Sequence, residues 1–365
     1  MKVSIVEKLG GGFTTKDVEI DEPMDYEVLV DVKASSLCHS DLHFAEKDYG
    51  TVFPAVFGHE VAGIVSAIGK SVTEFVPGDH VVGCFIQYCG HCENCQSGKT
   101  YLCLHPEEVM RKADEKPRLF FKDGVPVSQG FGLGGFSEKT LIHQNQLAKV
   151  PKDVPFNRAC IIGCATVTGA GAIINSAGLR PGSSVAIIGT GGVGLNAISG
   201  AKIAGATTII AIDIQDDKLE FSKKFGATHV INSKKQDAVE AVREITGGGV
   251  DAALEVIGFV STAQQAVQMV NKGGRAYLIG MTPLGTELPI LPMENLVGPS
   301  AGVIGVNMGS SNLKKDIPMY AKLYAQGRLN LDDLIYKEIN IDDVDKTYKE
   351  LEQGKVIGRA VITSF

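Results

Sequence analysis

A chain of 365 residues, 44% hydrophobic and 21% charged, has a globular composition, and at about 150 residues per domain it divides into two or three units with a core apiece. A formal charge of −7 and a pI near 5.7 exclude bulk attraction to nucleic acid or to an anionic bilayer. Eight cysteines are too sparse for a disulfide scaffold, no charged-then-apolar leader opens the sequence, and no apolar run of bilayer length stands out, which predicts a reduced, cytoplasmic protein outside the membrane.

From the start to about residue 152, short β-rich runs such as 26–32 and 60–68 alternate with glycine and proline punctuation, including Pro77 and Gly78; the pattern predicts an irregular all-β lobe. Cys38 opens the run CHSDLH, and His59 and Glu60 stand in GHE. With Cys164 in GCATVTGAG, these supply two thiols and an imidazole, a zinc set that leaves a fourth position for water or substrate oxygen. Spacing alone does not separate such dispersed residues from packed core side chains. Cys89, Cys92, Cys95 and Cys103, separated by two, two and seven residues, are more specific. The short gaps let thiolates converge on one ion, and the long one lets the chain return to close a tetrahedron. An all-sulfur cage has no open position, so its zinc is structural; an iron–sulfur cluster uses the same ligands and is the alternative. Cys84 and Cys160 read as buried small residues.

After about residue 156 the pattern changes to strand and helix in alternation. Strands are predicted over 184–188, 208–212, 229–231, 252–256 and 276–279, with helices over 193–204 and 216–225, the rhythm of a doubly wound parallel sheet. The turn IGTGGVG places Gly189, Gly191, Gly192, Val193 and Gly194 between a buried strand and a helix, the context in which G-x-G-x-x-G holds a dinucleotide pyrophosphate. Asp213 ends the next strand, where a carboxylate bonds ribose hydroxyls and repels a 2′-phosphate, so NAD is expected over NADP. From about residue 309 the chain turns charged and helical, and it ends in a strand-like 359–363 that is expected to return to the first lobe. The 43 glycines indicate tight turns rather than disorder, and there is no internal repeat.

The order and spacing of Cys38, Gly58-His59-Glu60, the four-cysteine lobe, Cys164, GTGGVG and Asp213 resemble the zinc-dependent medium-chain alcohol dehydrogenases along essentially the whole chain. The length from Cys103 to Phe136 is similar to that of the longer animal and plant members and of the glutathione-dependent formaldehyde dehydrogenases. The resemblance implies a β-rich GroES-like catalytic domain, residues 1–158 and 309–365, and a doubly wound Rossmann NAD domain, residues 159–308. It implies one catalytic and one structural zinc per chain, and a homodimer formed near 300–306, where an apolar edge strand would otherwise be exposed.

The same resemblance implies roles for single residues. Cys38, His59 and Cys164 would hold a zinc acting as Lewis acid on an alcohol oxygen while hydride passes to NAD. Ser40 would touch that oxygen, and His43 would be the outer base of a proton relay through the cofactor ribose. Asp41 would hold the far nitrogen of His59, and Glu60 would neighbour the metal. Thr168 and Val193 would pack on the nicotinamide, Lys218 would reach the adenosine ribose, and Arg359 would meet the pyrophosphate. His39 occupies a place where many members carry an arginine on the cofactor phosphate. Phe85 and Phe136 align with pocket walls, favouring a primary alcohol with an apolar or aromatic tail. Cys164 argues against the polyol relatives, which tend to carry glutamate there. Tyr49 stands where glutathione-dependent members usually place an acid, which weakens that alternative. An alcohol oxidoreductase that retains its NAD and a non-enzymatic NAD-binding module are further alternatives; a module would not need Ser40 and His43.

Overall fold

The computed structural model describes all residues, 1–365, and the chain forms two units. The first comprises Met1–Cys164, Asn312–Gly327 and Leu331–Phe365, and the second Ala165–Ser311 with Arg328–Asn330. The divisions expected at 158/159 and 308/309 thus fall at 164/165 and 311/312.

Glu27–Ser36 organises the first unit. Its alternate residues Val28, Val30, Val32 and Ala34 are buried, the period of a strand with one face in a core. It pairs antiparallel with Glu60–Ile68, with Lys139–His143 and with the C-terminal strand Arg359–Ser364, which returns to this lobe as expected. The expected strand 60–68 is reproduced residue for residue. A second sheet, which includes Lys2–Val6 and Pro126–Gln129, covers a core holding Phe13, Phe57, Phe136 and Tyr348.

Phe136 is therefore not a pocket wall. Its side chain is fully buried, edge-on to Phe13 with ring centroids 6.0 Å apart and tilted to Tyr348 at 6.3 Å. It fills core volume between Phe13 and Tyr348.

In the second unit six parallel strands stand in the order His229–Asn232, Thr208–Asp213, Ser184–Ile188, Val250–Glu255, Val270–Leu278 and Gly302–Gly305. The order reverses beside Ser184–Ile188, the switch point where such sheets open a crevice for ligands. The expected strand 276–279 is the end of the longer Val270–Leu278, and the expected helix 216–225 is Asp216–Ser222 followed by the tighter turn Lys223–Phe225.

One helical run, Phe156–Ala177, lay outside the expected elements and corrects the statement that no apolar stretch reaches bilayer length: its 22 residues do. Since 83% of its most apolar window is buried within the protein, it has the surroundings of a core helix. Two segments of the run, Ile162–Thr166 and Ala172–Ala177, are wound more widely than an α-helix. Such π-turns shift the side chains that follow and recur at functional sites; Cys164 lies in the first.

If Phe136 is structural, Phe136→Ala will destabilise the first unit by about 3–5 kcal/mol, the usual cost of emptying a phenylalanine site. The urea midpoint of the variant measures it, and an unchanged midpoint would return Phe136 to the surface of a pocket.

Candidate active site

Cys38 precedes the helix His39–Glu46, His59 and Glu60 open the strand Glu60–Ile68, and Cys164 sits in the π-turn. These three separated segments bring one ligand atom each of Cys38, His59, Glu60 and Cys164 within 4.8 Å of one another, all buried. His59 Nε2 lies 3.2 Å from Cys164 Sγ, and Nδ1 lies 3.0 Å from Asp41 Oδ1 on the far side of the ring. The approach of Nδ1 is oblique, so the contact is chiefly electrostatic. It orients the imidazole with Nε2 toward the thiols, the role expected of Asp41.

The electrostatics single out Cys38 as the thiolate, whereas its hydrogen bond with Cys164 and burial hold the Cys164 thiol well above its usual value, so that zinc binding would release the protons of Cys164 and His59. The Cys38 thiol is held well below its usual range by a hydrogen bond with Cys164, and then by the positive charges of Arg359 and His59, against the effect of burial. Burial would lower the pKa of His59, yet the Asp41 carboxylate and Cys38 hold it well above the ordinary histidine range. A thiolate beside an oriented imidazole is a soft, anionic donor set suited to zinc.

Glu60 accepts hydrogen bonds from Ser36 Oγ, from Arg359 Nε at 3.1 Å and from Arg359 Nη2 at 2.9 Å. Burial pushes its pKa up while Arg359 pulls it down. Its engagement makes it a metal neighbour rather than a free ligand. Arg359, which the sequence directed to a pyrophosphate, is 4% exposed, with Nε and Nη2 given to Glu60 and Nη2 3.8 Å from Cys38 Sγ.

Aromatic rings enclose the site. Phe85 is edge-on to the His59 ring at 6.1 Å, and Phe131 is closer, at 4.9 Å, with 5.1 Å between the two phenylalanines. Sequence reasoning missed Phe131. Its backbone has φ +57°, a left-handed conformation costing an L-residue roughly 1–2 kcal/mol, and its carbonyl accepts from Gln146 Nε2 at 3.0 Å. The available signal was an aromatic residue flanked by glycines in GFGLGG. Phe44 packs on Phe131 and stacks on Tyr49, both at 4.8 Å, and these three rings border a cavity of about 540 Å³. Ser40 Oγ lies 3.9 Å from Cys38 Sγ. His43 is half-buried one turn further along the helix, with its pKa lowered by burial and by Lys47; His39 is exposed, its ring centroid 6.4 Å from that of His43.

The four-cysteine lobe is compact. Cys89, Cys92, Cys95 and Cys103 place their sulfurs within 4.8 Å of one another. Zinc–sulfur bonds of about 2.3 Å in a tetrahedron separate sulfurs by about 3.8 Å; Cys89–Cys95 at 3.9 Å and Cys92–Cys95 at 3.4 Å lie on either side of that spacing. Backbone amides of Cys89, Cys92 and His105 donate to the sulfurs of Cys103, Cys89 and Cys103, which fixes the orientation of these side chains toward the centre of the group. All eight cysteines are free; burial raises the Cys84 thiol to about 12 and the Cys160 thiol well above its usual value, so both are inert.

In the second unit Gly191 precedes the helix Gly192–Ala204, and a Cβ built on it would meet nothing within 4 Å, leaving open space at the helix N-terminus. At Gly194 a Cβ would lie 1.9 Å from the Gly189 carbonyl oxygen, so glycine permits the helix to close on the turn. This cradle fits a pyrophosphate. The Thr190 amide and hydroxyl donate to Asp213 Oδ2 at 2.9 and 2.7 Å, and the Ile214 amide to Oδ1 at 2.7 Å, which fixes the carboxylate at the strand end. Val193 and Lys218 are half-buried nearby in sequence, and Thr168 is buried with Oγ1 3.5 Å from Met308 Sδ.

Comparison with known proteins matches residues 24–152 to a family described as alcohol dehydrogenase GroES-like domain, and 192–326 to one described as zinc-binding dehydrogenase. S-(hydroxymethyl)glutathione dehydrogenase of Paracoccus denitrificans is 31% identical over 99% of this chain and 99% of its own. An alcohol dehydrogenase zinc-binding domain protein from Burkholderia ambifaria superposes with a TM-score of 0.94 at 36% identity, covering 99% of this chain and 98% of that one. Benzyl alcohol dehydrogenase from Acinetobacter calcoaceticus gives 0.92 at 36% identity, with 100% and 99% covered.

The π-turn is held tightly: a Cβ on Gly163 would fall 2.1 Å from the Gly83 carbonyl oxygen. Gly163→Ala will therefore displace Cys164, and the purified variant will carry about one zinc per chain where the parent carries two. Elemental analysis distinguishes this from retention of both.

Proposed function

The chain belongs to the zinc-dependent medium-chain alcohol dehydrogenases and is an NAD-dependent enzyme of that family, and we propose that its substrate is a primary alcohol with an aromatic or other apolar tail, oxidised reversibly to the aldehyde. The observation that carries the proposal is the pair Phe85 and Phe131 packed on His59, with Phe131 also lining, together with Phe44 and Tyr49, a cavity of about 540 Å³. Flat apolar walls take an aromatic ring by area and by edge-on contact.

In this reading Cys38, His59 and Cys164 hold the zinc, which supplies Lewis acidity to the alcohol oxygen. NAD, held at the 189–194 turn, supplies the hydride acceptor. Asp41 keeps Nε2 of His59 directed at the thiols. Phe85 and Phe131 orient the alcohol carbon and exclude water. Ser40, beside Cys38, would take the hydroxyl proton while passing its own on through the cofactor ribose to His43, which burial favours in the neutral, proton-accepting form and which would release it to solvent. Asp213, already bonded by Thr190, would repel a 2′-phosphate and accept from ribose hydroxyls.

The Paracoccus relative favours a second reading, oxidation of S-(hydroxymethyl)glutathione. Charge counts against it. The adduct carries two carboxylates, whereas the two arginines bordering the cavity have buried side chains already paired with Asp21 and Glu27, leaving Lys112 as the exposed cation of the lining. Similarity to the benzyl alcohol dehydrogenase supports the first reading. A homodimer belongs to the same proposal: Gly302–Gly305 ends its sheet with one side unpaired, and Ile304 is 37% exposed.

Initial rates of NADH formation with ethanol, hexanol, benzyl alcohol, cinnamyl alcohol and hydroxymethylglutathione test the substrate. The highest kcat/KM is expected on the aromatic alcohols, and a maximum on the glutathione adduct would overturn the proposal. Phe131→Ala will raise KM for benzyl alcohol about tenfold and change that for ethanol less than about twofold, since only the larger substrate reaches the ring. Asp213→Asn will reduce the preference for NAD over NADP by about tenfold or more, measured as the ratio of kcat/KM for the two cofactors.

A further inference from the structure

One wall of the aromatic cavity is irregular chain. Between the short turn Pro106–Val109 and the strand Leu119–Phe120, residues 110–118 form neither helix nor strand, yet Met110, Lys112, Ala113, Glu115 and Pro117 border the cavity. Such a segment is fixed only by its side chains and by what its carbonyls find.

We propose that Glu27 is a positioning residue for the tail of the substrate: through Arg111 and Arg118 its buried carboxylate holds this wall in place. The inference rests on the reading that the cavity receives that tail. Glu27 is 4% exposed at the start of the organising strand. Oε1 and Oε2 accept from Arg111 Nε and Nη2 at 2.9 and 2.5 Å, and Oε1 also accepts from Arg118 Nε at 2.6 Å. The arginines then fasten the segment by its backbone. Arg111 Nη1 donates to the Lys116 carbonyl at 2.9 Å and to Asp21 Oδ2 at 2.6 Å, and Arg118 Nη2 donates to the Val109 carbonyl at 2.7 Å. Arg111 Nη2 reaches the Glu22 carbonyl at 2.9 Å, which ties the segment to the chain entering the strand.

Stability alone does not account for this cluster. Apolar side chains of similar volume stabilise a buried site as well as an ion pair does, so a buried network is better explained by the geometry it enforces. Planar arginine forks define direction as well as distance. Here they align both ends of the segment, 109 and 116, on one carboxylate, and Phe131 borders both that cavity and the His59 ring. Glu27 touches neither substrate nor metal, so its effect should appear in how a bulky alcohol is held and not in the chemical step.

The test is a KM-against-kcat comparison of full-length Glu27→Gln and Arg111→Lys with the parent, loaded with zinc and NAD, on ethanol, hexanol, cinnamyl alcohol and hydroxymethylglutathione. Glu27→Gln keeps the shape and removes the charge; Arg111→Lys keeps the charge, loses the fork and serves if the first variant does not fold. For the largest substrate that the parent accepts, KM should rise about tenfold in Glu27→Gln and about threefold in Arg111→Lys, while kcat and the ethanol KM stay within about twofold. An unchanged ratio of kcat/KM between that substrate and ethanol, with or without a lowered Tm, would overturn the proposal. The parent's own ranking separately decides the aromatic reading, because the variant ratio is read on whichever large substrate wins.

Discussion

The buried pair of Glu60 and Arg359 is the interaction on which the catalytic unit depends. It joins residues 299 positions apart, the first of the strand beside His59 and the first of the C-terminal strand. Pairing of Val361 and Ile362 with Ser36 and Ser35 brings the terminal strand to the organising one, and the guanidinium then locks it there. Removing one partner of such a pair leaves an uncompensated buried charge, which costs about 3–5 kcal/mol. The pair also solves a problem of the metal site. The Cys38 thiolate and the Glu60 carboxylate gathered in a core repel one another, and the nearby cation of Arg359 offsets that repulsion and helps hold Cys38 ionised. Closure of the fold and preparation of the ligands are the same contact.

Legibility in the sequence followed the range of the interaction. The four-cysteine lobe could be read from spacing because its ligands lie within fifteen positions and their backbone supplies its own N–H···S bonds. The nucleotide turn was equally local: strand, glycines, helix and acid are consecutive, and the sheet order adds only the switch point. Cys38, His59 and Cys164 lie on three elements, and family resemblance rather than spacing brought them together. The helix bearing Cys164 escaped notice because its residues are apolar or small on every side, so neither period stands out.

Phe131 and Phe136 show the limit most clearly. Both stand beside glycine in GFGLGGF, and the pattern cannot rank them. What separates them is backbone: a left-handed Phe131 turns its ring onto His59, while Phe136 continues into the core against Phe13 and Tyr348. A positive φ at a phenylalanine is a tertiary decision, made by neighbours such as Gln146 that hold the carbonyl. Arg359 likewise has a partner that the sequence pattern did not signal. An arginine in a terminal strand reads as a surface or phosphate residue until its carboxylate partner, far away in the chain, is in place.

Charge neutralisation also gives the substrate cavity its character. Asp21, Glu27, Arg111 and Arg118, with Lys116 on Asp21, are paired with one another, and the pairs with Glu27 are buried, so the cluster presents little field to a ligand. The residues left to discriminate are then the rings of Phe44, Tyr49 and Phe131, which select by shape and apolar area. A methylene or a ring changes binding by only about 1–3 kcal/mol in such a pocket, so a range of related alcohols should be accepted rather than one. Strict selection of an anionic substrate would need an unpaired arginine on this wall. Here the arginines serve the protein's own carboxylates, and the same atoms that hold the wall in place are thereby withdrawn from recognising charge.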